Sequence, residues 1–124
     1  MRHVPRGGLR LLAEDRLPAI YFAFGRRWAE ELAWELSHAG FRFLQEGERE
    51  LLLQRFDELC RRYEVTNERS AQDLREVLKH GVAYHHAGML PTMKEVIERC
   101  FMSRLLKFIV TTETFALGIN MPAR

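Results

Sequence analysis

Two short β-rich runs, Val82–His85 and Lys107–Thr112, stand on either side of a single helix-length segment. Runs spaced in this way read as parallel strands joined by a helical crossover. Each ends in a polar or glycine-containing turn: His85-His86-Ala87-Gly88 after the first, Thr111-Thr112-Glu113-Thr114 after the second. In an open parallel sheet, ligands gather at the carboxyl ends of the strands, where the next helix points its free N–H groups outward. The sequence therefore places polar chemistry where this architecture binds phosphate.

A third run fits the same scheme. Leu17-Pro18 opens the almost wholly apolar stretch Ala19–Phe24, which reads as a strand covered on both faces, in the middle of a parallel sheet. Gly25 is expected to let the backbone turn sharply into a helix from about Arg26 to Ala39, with Trp28, Leu32, Ala33 and Leu36 inward and Gly40 as the residue after the cap. A second amphipathic helix is predicted over Glu46–Tyr63, and a third over Ser70–Lys79, with Ser70 as N-cap and Asp73 three residues on. Gly81 ends the third helix. A fourth runs from Pro91, at the first helical position, to about Met102. Phe41–Leu44 alternates like a strand but is too short to assign. Met1–Arg16, with four arginines, two glycines and a proline, reads as a mobile, solvated lead-in.

The fold class that follows is α/β: a three-layer arrangement with a mainly parallel sheet of Ala19–Phe24, Val82–His85 and Lys107–Thr111, flanked by helices. A content of 47% hydrophobic and 29% charged residues suits one globular domain or part of one and argues against disorder. A formal charge of +2 neither demands nor excludes nucleic acid, so any basic face must be local. Cys60 and Cys100 stand alone, outside any CxxC pattern, and read as buried or inert thiols in a reducing compartment. No apolar run approaches the ~20 residues of a membrane span, and no signal-peptide core opens the chain. No membrane partner and a cytoplasmic location are expected.

If the strands are parallel, Phe24-Gly25-Arg26, His85–Gly88 and Thr111–Glu113 open onto one edge. A row of such ends can hold successive phosphates of a single strand without reading bases. On geometry alone they read as ordinary βα turns. The tandem His85-His86 is not a metal site, because neighbours on a strand point to opposite faces and no further ligands lie at metal spacing. One of the two is expected to be packed and hydrogen-bonded, the other turned toward the cleft. Glu113 has no second acid or nucleophile placed with it, so no catalytic residue is assigned.

Three blocks resemble a known family: His85-His86-Ala87-Gly88-Met89-Leu90-Pro91, then Lys94-Glu95-Val96, then Thr112-Glu113-Thr114-Phe115-Ala116-Leu117-Gly118-Ile119-Asn120-Met121-Pro122-Ala123-Arg124. They resemble the second RecA-like domain of DExH-box superfamily-two RNA helicases, in particular the superkiller and exosome-associated group. Leu17–Arg27 resembles that family's motif IV, with glycine at 25 where relatives often have serine. The resemblance covers nearly everything from Leu17 onward. It divides the chain into a basic lead-in, 1–16, and a partial second RecA-like domain, 17–124, spanning motifs IV to V.

The resemblance reverses the reading of the strand ends and implies roles residue by residue. Arg26, with Arg27 beside it, would lie near the nucleic-acid backbone. Gly88 would let backbone approach backbone, and Thr112 would donate its hydroxyl to a phosphate while Glu113 and Thr114 shape the turn. Gly118 and Asn120 would face the cleft between two RecA-like domains and help hold the nucleotide ribose. The implied partners are single-stranded RNA, with DNA as the alternative, and a first RecA-like domain that would bind most of the ATP and Mg²⁺. This chain carries neither a GxxxxGK[ST] loop nor a DExH sequence. It is therefore expected not to hydrolyse ATP alone, and to be marginally stable and prone to association on its own. The rival expectation is a non-enzymatic α/β scaffold that keeps only the shape of the helicase core.

Overall fold

The computed structural model describes residues 17–113. In chain order the elements are β1 (Ala19–Phe22), α1 (Arg26–Ser37), α2 (Glu48–Arg62), α3 (Arg69–Leu78), β2 (Val82–His85), α4 (Pro91–Met102) and β3 (Phe108–Thr111). The three strands form one parallel sheet in the order β1-β3-β2. Phe22, Thr111 and His85 are partners across it, so the three strands end flush. The α/β class, the strand direction and the four helices agree with the sequence reading.

Side-chain alternation along β2 explains the layering. His85 points to α4, where it meets Glu98, and the next residue, His86, points to α1, where it meets Glu30. Helices therefore cover both faces of the sheet. Helix α1 packs on β2 and β3, while α3 lies against the edge strand β2 and also touches α1 and α2. The middle strand, β3, is wholly buried through Phe108, Ile109, Val110 and Thr111. Around it pack Leu32 and Leu36 from α1, Leu74 and Leu78 from α3, and Met93, Ile97 and Phe101 from α4. Full burial of each such side chain is worth about 1.5–3 kcal/mol relative to exposure.

Four expectations are corrected. Among the described residues the first strand, Ala19–Phe22, is at the edge of the sheet and not in its middle: it pairs only with β3, and Phe22 is 62% exposed. An all-apolar run reports its affinity for a sheet, not its rank within one. The chain does bend at Phe24-Gly25 into α1, but the bend does not need glycine, since a φ of −160° and ψ of 157° at Gly25 are extended backbone open to any residue. Ser70 is not the third helix's N-cap; Glu68 takes that position and Arg69 starts the helix, without a side-chain cap. Helix α1 ends earlier than predicted, at Ser37 with His38 as its cap, leaving Gly40 beyond at φ +84°.

Phe41–Leu44 forms no strand. Phe43 turns inward and stacks on Phe108, with ring centroids 6.0 Å apart. Beneath this plug Gly81 has φ +81°, and a Cβ there would come within 3.0 Å of the Leu44 side chain. The positive φ favours glycine at 81, and a larger residue would also press the Leu44 side chain aside.

Candidate nucleic-acid interface

The flush carboxyl ends of the three strands gather residues from the three segments that follow them. After β1, Ala23 continues the ladder by donating its N–H to the Thr111 carbonyl at 2.8 Å. The chain then enters α1 at Arg26. After β2 comes the His86–Leu90 turn into α4, and after β3 come Thr112 and Glu113. Thr112 is fixed by its own N–H, which donates to the His85 carbonyl at 3.1 Å. Its side chain is half-buried, and among the described residues its hydroxyl has no protein partner.

Arg26 and Gly88 are brought together. A Cβ placed on Gly88 would stand 2.5 Å from Arg26 Nη1 and 3.1 Å from its Cδ. The expectation that Gly88 leaves room for approaching backbone is therefore refined: the space is taken by the Arg26 side chain, which lies across the glycine. Arg27, also exposed, is the next residue of α1. The helices that start at this edge, α1 and α4, have Gly25 and Leu90 as N-caps, and neither start is covered by a side-chain cap. Their first N–H groups carry the partial positive charge of a helix N-terminus. The starts of α2 and α3 are uncapped as well, so position at the sheet edge, not the missing cap, distinguishes these two.

Both histidines are packed, which corrects the expectation that one of them turns toward the cleft. His85 and His86 are 1% and 4% exposed. His86 accepts the Gly88 N–H at Nδ1, 3.1 Å away, so Nε2 carries the proton that faces Glu30 Oε2 at 2.6 Å. Its ring also stacks almost parallel to that of Tyr84. His85 bridges Glu98 Oε2 at 2.7 Å and Thr111 Oγ1 at 3.2 Å. Among the described residues, no three His, Cys, Asp or Glu side chains converge as a metal set would.

Glu113 is held twice. Its carboxylate pairs with Lys94 Nζ at 2.7 Å, and its backbone bonds to the Thr111 hydroxyl through both N–H and carbonyl. The Lys94 hydrogen bond holds its carboxyl below the usual carboxylate range, against an opposing effect of burial. A carboxylate so placed is suited to shaping the turn and ill suited to touching a phosphate. Thr114, Gly118 and Asn120 lie outside the described residues. Elsewhere, burial pushes the Cys60 thiol up to about 11 and the Cys100 thiol up to about 12, so both stay protonated and unreactive near neutrality.

Sequence reasoning assigned no role to Glu30, Glu98, Thr111 or Lys94. Lys94 was visible within the second resembling block. Glu98 left a fainter signal, a carboxylate next to Ile97 on the inward side of a helix. Nothing local marked Glu30 or Thr111, whose partners lie far off in sequence.

No protein-family model matches the chain. Curated proteins do. A probable helicase, HelY, of Mycobacterium tuberculosis is 37% identical over 93% of this chain, which corresponds to 13% of that protein. Superkiller complex protein 2 of Mus musculus is 38% identical over 94% of this chain, 10% of its own length. ATP-dependent RNA helicase mtr4 of Schizosaccharomyces pombe is 34% identical over 92% of this chain and 10% of its own. The chain thus spans about a tenth of the length of the curated relatives it matches. No helix among the described residues is long and apolar enough to cross a membrane. In sequence, the chain is similar over about nine tenths of its length to helicases of the DExH-box, superkiller and MTR4 type.

Proposed function

We propose that this segment forms part of the nucleic-acid backbone track, and one side of the ATP cleft, of an ATP-dependent RNA helicase. In this reading residues 17–124 are part of a second RecA-like domain, acting with a first one that binds most of the ATP and Mg²⁺. The observation that supports it is the flush edge of three parallel strands, where the Arg26 side chain lies across Gly88 and Thr112 follows the end of the middle strand. Arg26 offers a planar guanidinium to a phosphate, Thr112 offers a hydroxyl on fixed backbone, and the starts of α1 and α4 offer N–H groups. None of these groups reads a base, as suits a motor that passes over any sequence. Gly118 and Asn120 would serve the nucleotide side.

The test is Thr112→Ala in the full-length protein carrying this segment. One hydrogen bond to an anionic phosphate is worth ~1.5–3 kcal/mol. RNA-stimulated ATPase and RNA affinity should therefore fall by at least about tenfold, equally for RNAs of different sequence, with the fold intact. Wild-type RNA affinity and coupling in a folded variant would remove this strand end from the track and favour a scaffold that only keeps the shape.

A further inference from the structure

The tandem histidines lie at the centre of the candidate site, yet neither is free to touch a ligand. Their hydrogen bonds give one of them a definite task. The Thr111 hydroxyl, fully buried, has one proton and two lone pairs. The proton goes to the Glu113 carbonyl at 2.8 Å, and one lone pair receives the Glu113 N–H at 3.2 Å. The remaining lone pair faces His85 Nδ1 at 3.2 Å, so Nδ1 must be the donor. On the far side of the ring, Nε2 faces Glu98 Oε2 at 2.7 Å, and a single proton lies between them. Glu113, paired with Lys94, also stands near the ring, its carboxylate 3.8 Å from Nδ1.

We propose that His85 is a positioning residue for the candidate phosphate-binding turn. Anchored on Glu98, it aims its Nδ1–H at the Thr111 hydroxyl, and that hydroxyl closes residues 111–113 into the turn that presents Thr112. This rests on the function proposed above and deepens it by naming what shapes the site. The arrangement is costly as mere packing: a buried carboxylate and imidazole must be desolvated, and apolar residues of similar volume would hold the layer at least as well. Without the ring's donor, the hydroxyl could turn from the Glu113 carbonyl to a bare Nδ1, and the turn would lose one of its two closing bonds.

The experiment compares Thr111→Val, Thr111→Ser, His85→Gln and Thr112→Ala in the full-length protein. RNA-stimulated ATPase is measured as kcat/KM for single-stranded RNA and as KM for ATP, beside the thermal midpoint. Valine keeps the buried β-branched shape and deletes the hydroxyl; serine keeps the hydroxyl; glutamine keeps reach toward Glu98 and loses the Nδ1 donor. Thr111→Val and His85→Gln should lower kcat/KM for RNA about tenfold with KM for ATP unchanged. Thr111→Ser should stay within about twofold of wild type. A merely structural role predicts instead that losses follow the thermal midpoint, with serine, which leaves a methyl-sized void, no better than valine. If His85→Gln does not fold, the valine and serine pair decides alone. Thr112→Ala impaired with Thr111→Val at wild-type coupling would overturn the positioning role and leave the track standing. Thr112→Ala without effect would overturn both.

Discussion

The two ends of the sheet are built from different materials. At the N-terminal end, closure is mainly by backbone and apolar contact, with one polar pair: Ala19 donates to the Lys107 carbonyl, Lys107 and Phe108 both donate to the Gly81 carbonyl, Phe43 stacks on Phe108, and the Lys107 side chain reaches Glu48 at 3.2 Å. At the C-terminal end, side chains from distant elements are tied in polar pairs: Glu30 with His86, Glu98 with His85, Lys94 with Glu113. Such pairs add little stability, because desolvation offsets most of their attraction. They do fix geometry. An open groove of about 730 Å³ lies at the other end, between the Phe41–Gly47 loop and the residues Lys79 and His80. Its walls carry charged side chains of their own, among them Arg42, Glu46, Arg49 and Glu50. One end holds the sheet together and the other holds it ready.

The widest separation should appear with Phe108→Ala. Phe108 is fully buried under Phe43, and removing such a ring costs about 3–5 kcal/mol through lost burial and the cavity left behind. Thr112→Ala, on the polar end, should stay within about 0.5 kcal/mol of wild type. Urea midpoints of the two variants measure the contrast. Equal destabilisation would mean that the C-terminal end is as structural as the other, and the distinction would collapse.

Lys94→Met sharpens the comparison within the polar end. The Lys94 hydrogen bond depresses the Glu113 pKa in the folded chain. A depressed carboxylate contributes stability that is present above its unfolded pKa and lost as pH falls through the folded value. The wild type should therefore shed this contribution only in acid, below the usual carboxylate range. In Lys94→Met the Glu113 pKa should rise toward that range, which an NMR titration of its carboxyl carbon would report. The acid limb of the stability profile should lose the same contribution. The pair is partly solvent-exposed, so the change in stability at neutral pH should be small. An unmoved Glu113 titration would show that Lys94 is not its main partner.

The sequence made the stabilising end more legible than the polar one. Strand positions, helix spans and parallel direction follow from local periodicity and from Pro91 and Gly81, whose meaning is carried by one or two residues. The rank of β1 was misread because Ala19–Phe24 is apolar on both faces, and alternation, the usual mark of a half-open strand, is missing. At the polar end the resembling blocks pointed to Arg26, Gly88 and Thr112, and the fold brings Arg26 to Gly88. The supporting shell was not legible: Glu30 meets His86 across 56 residues and Thr111 meets His85 across 26. Nothing in the local pattern records such pairings, since a glutamate on a helix usually faces water.

Gly25→Ser should have the smallest effect, and it acts at the polar end. Gly25 is the N-cap of α1, its backbone is extended, and a Cβ there meets nothing within 4 Å. A serine would enter without strain. Its hydroxyl can accept an N–H from the first turn of α1, and the unfolded chain would lose the extra freedom of glycine, worth about 0.4–1 kcal/mol where the native backbone suits the new residue. The variant should be more stable by about 0.5 kcal/mol, a shift readable in a urea midpoint. The added hydroxyl would compete for α1 N–H groups that the proposed function assigns to phosphate, while offering a phosphate contact of its own. RNA affinity should therefore change by less than about threefold, the size of a few tenths of a kcal/mol. A tenfold loss of RNA affinity with the stability gain intact would identify the uncapped start of α1, rather than Arg26 or Thr112, as the principal phosphate contact. Destabilisation by serine would instead show that residue 25 needs a conformation only glycine can supply.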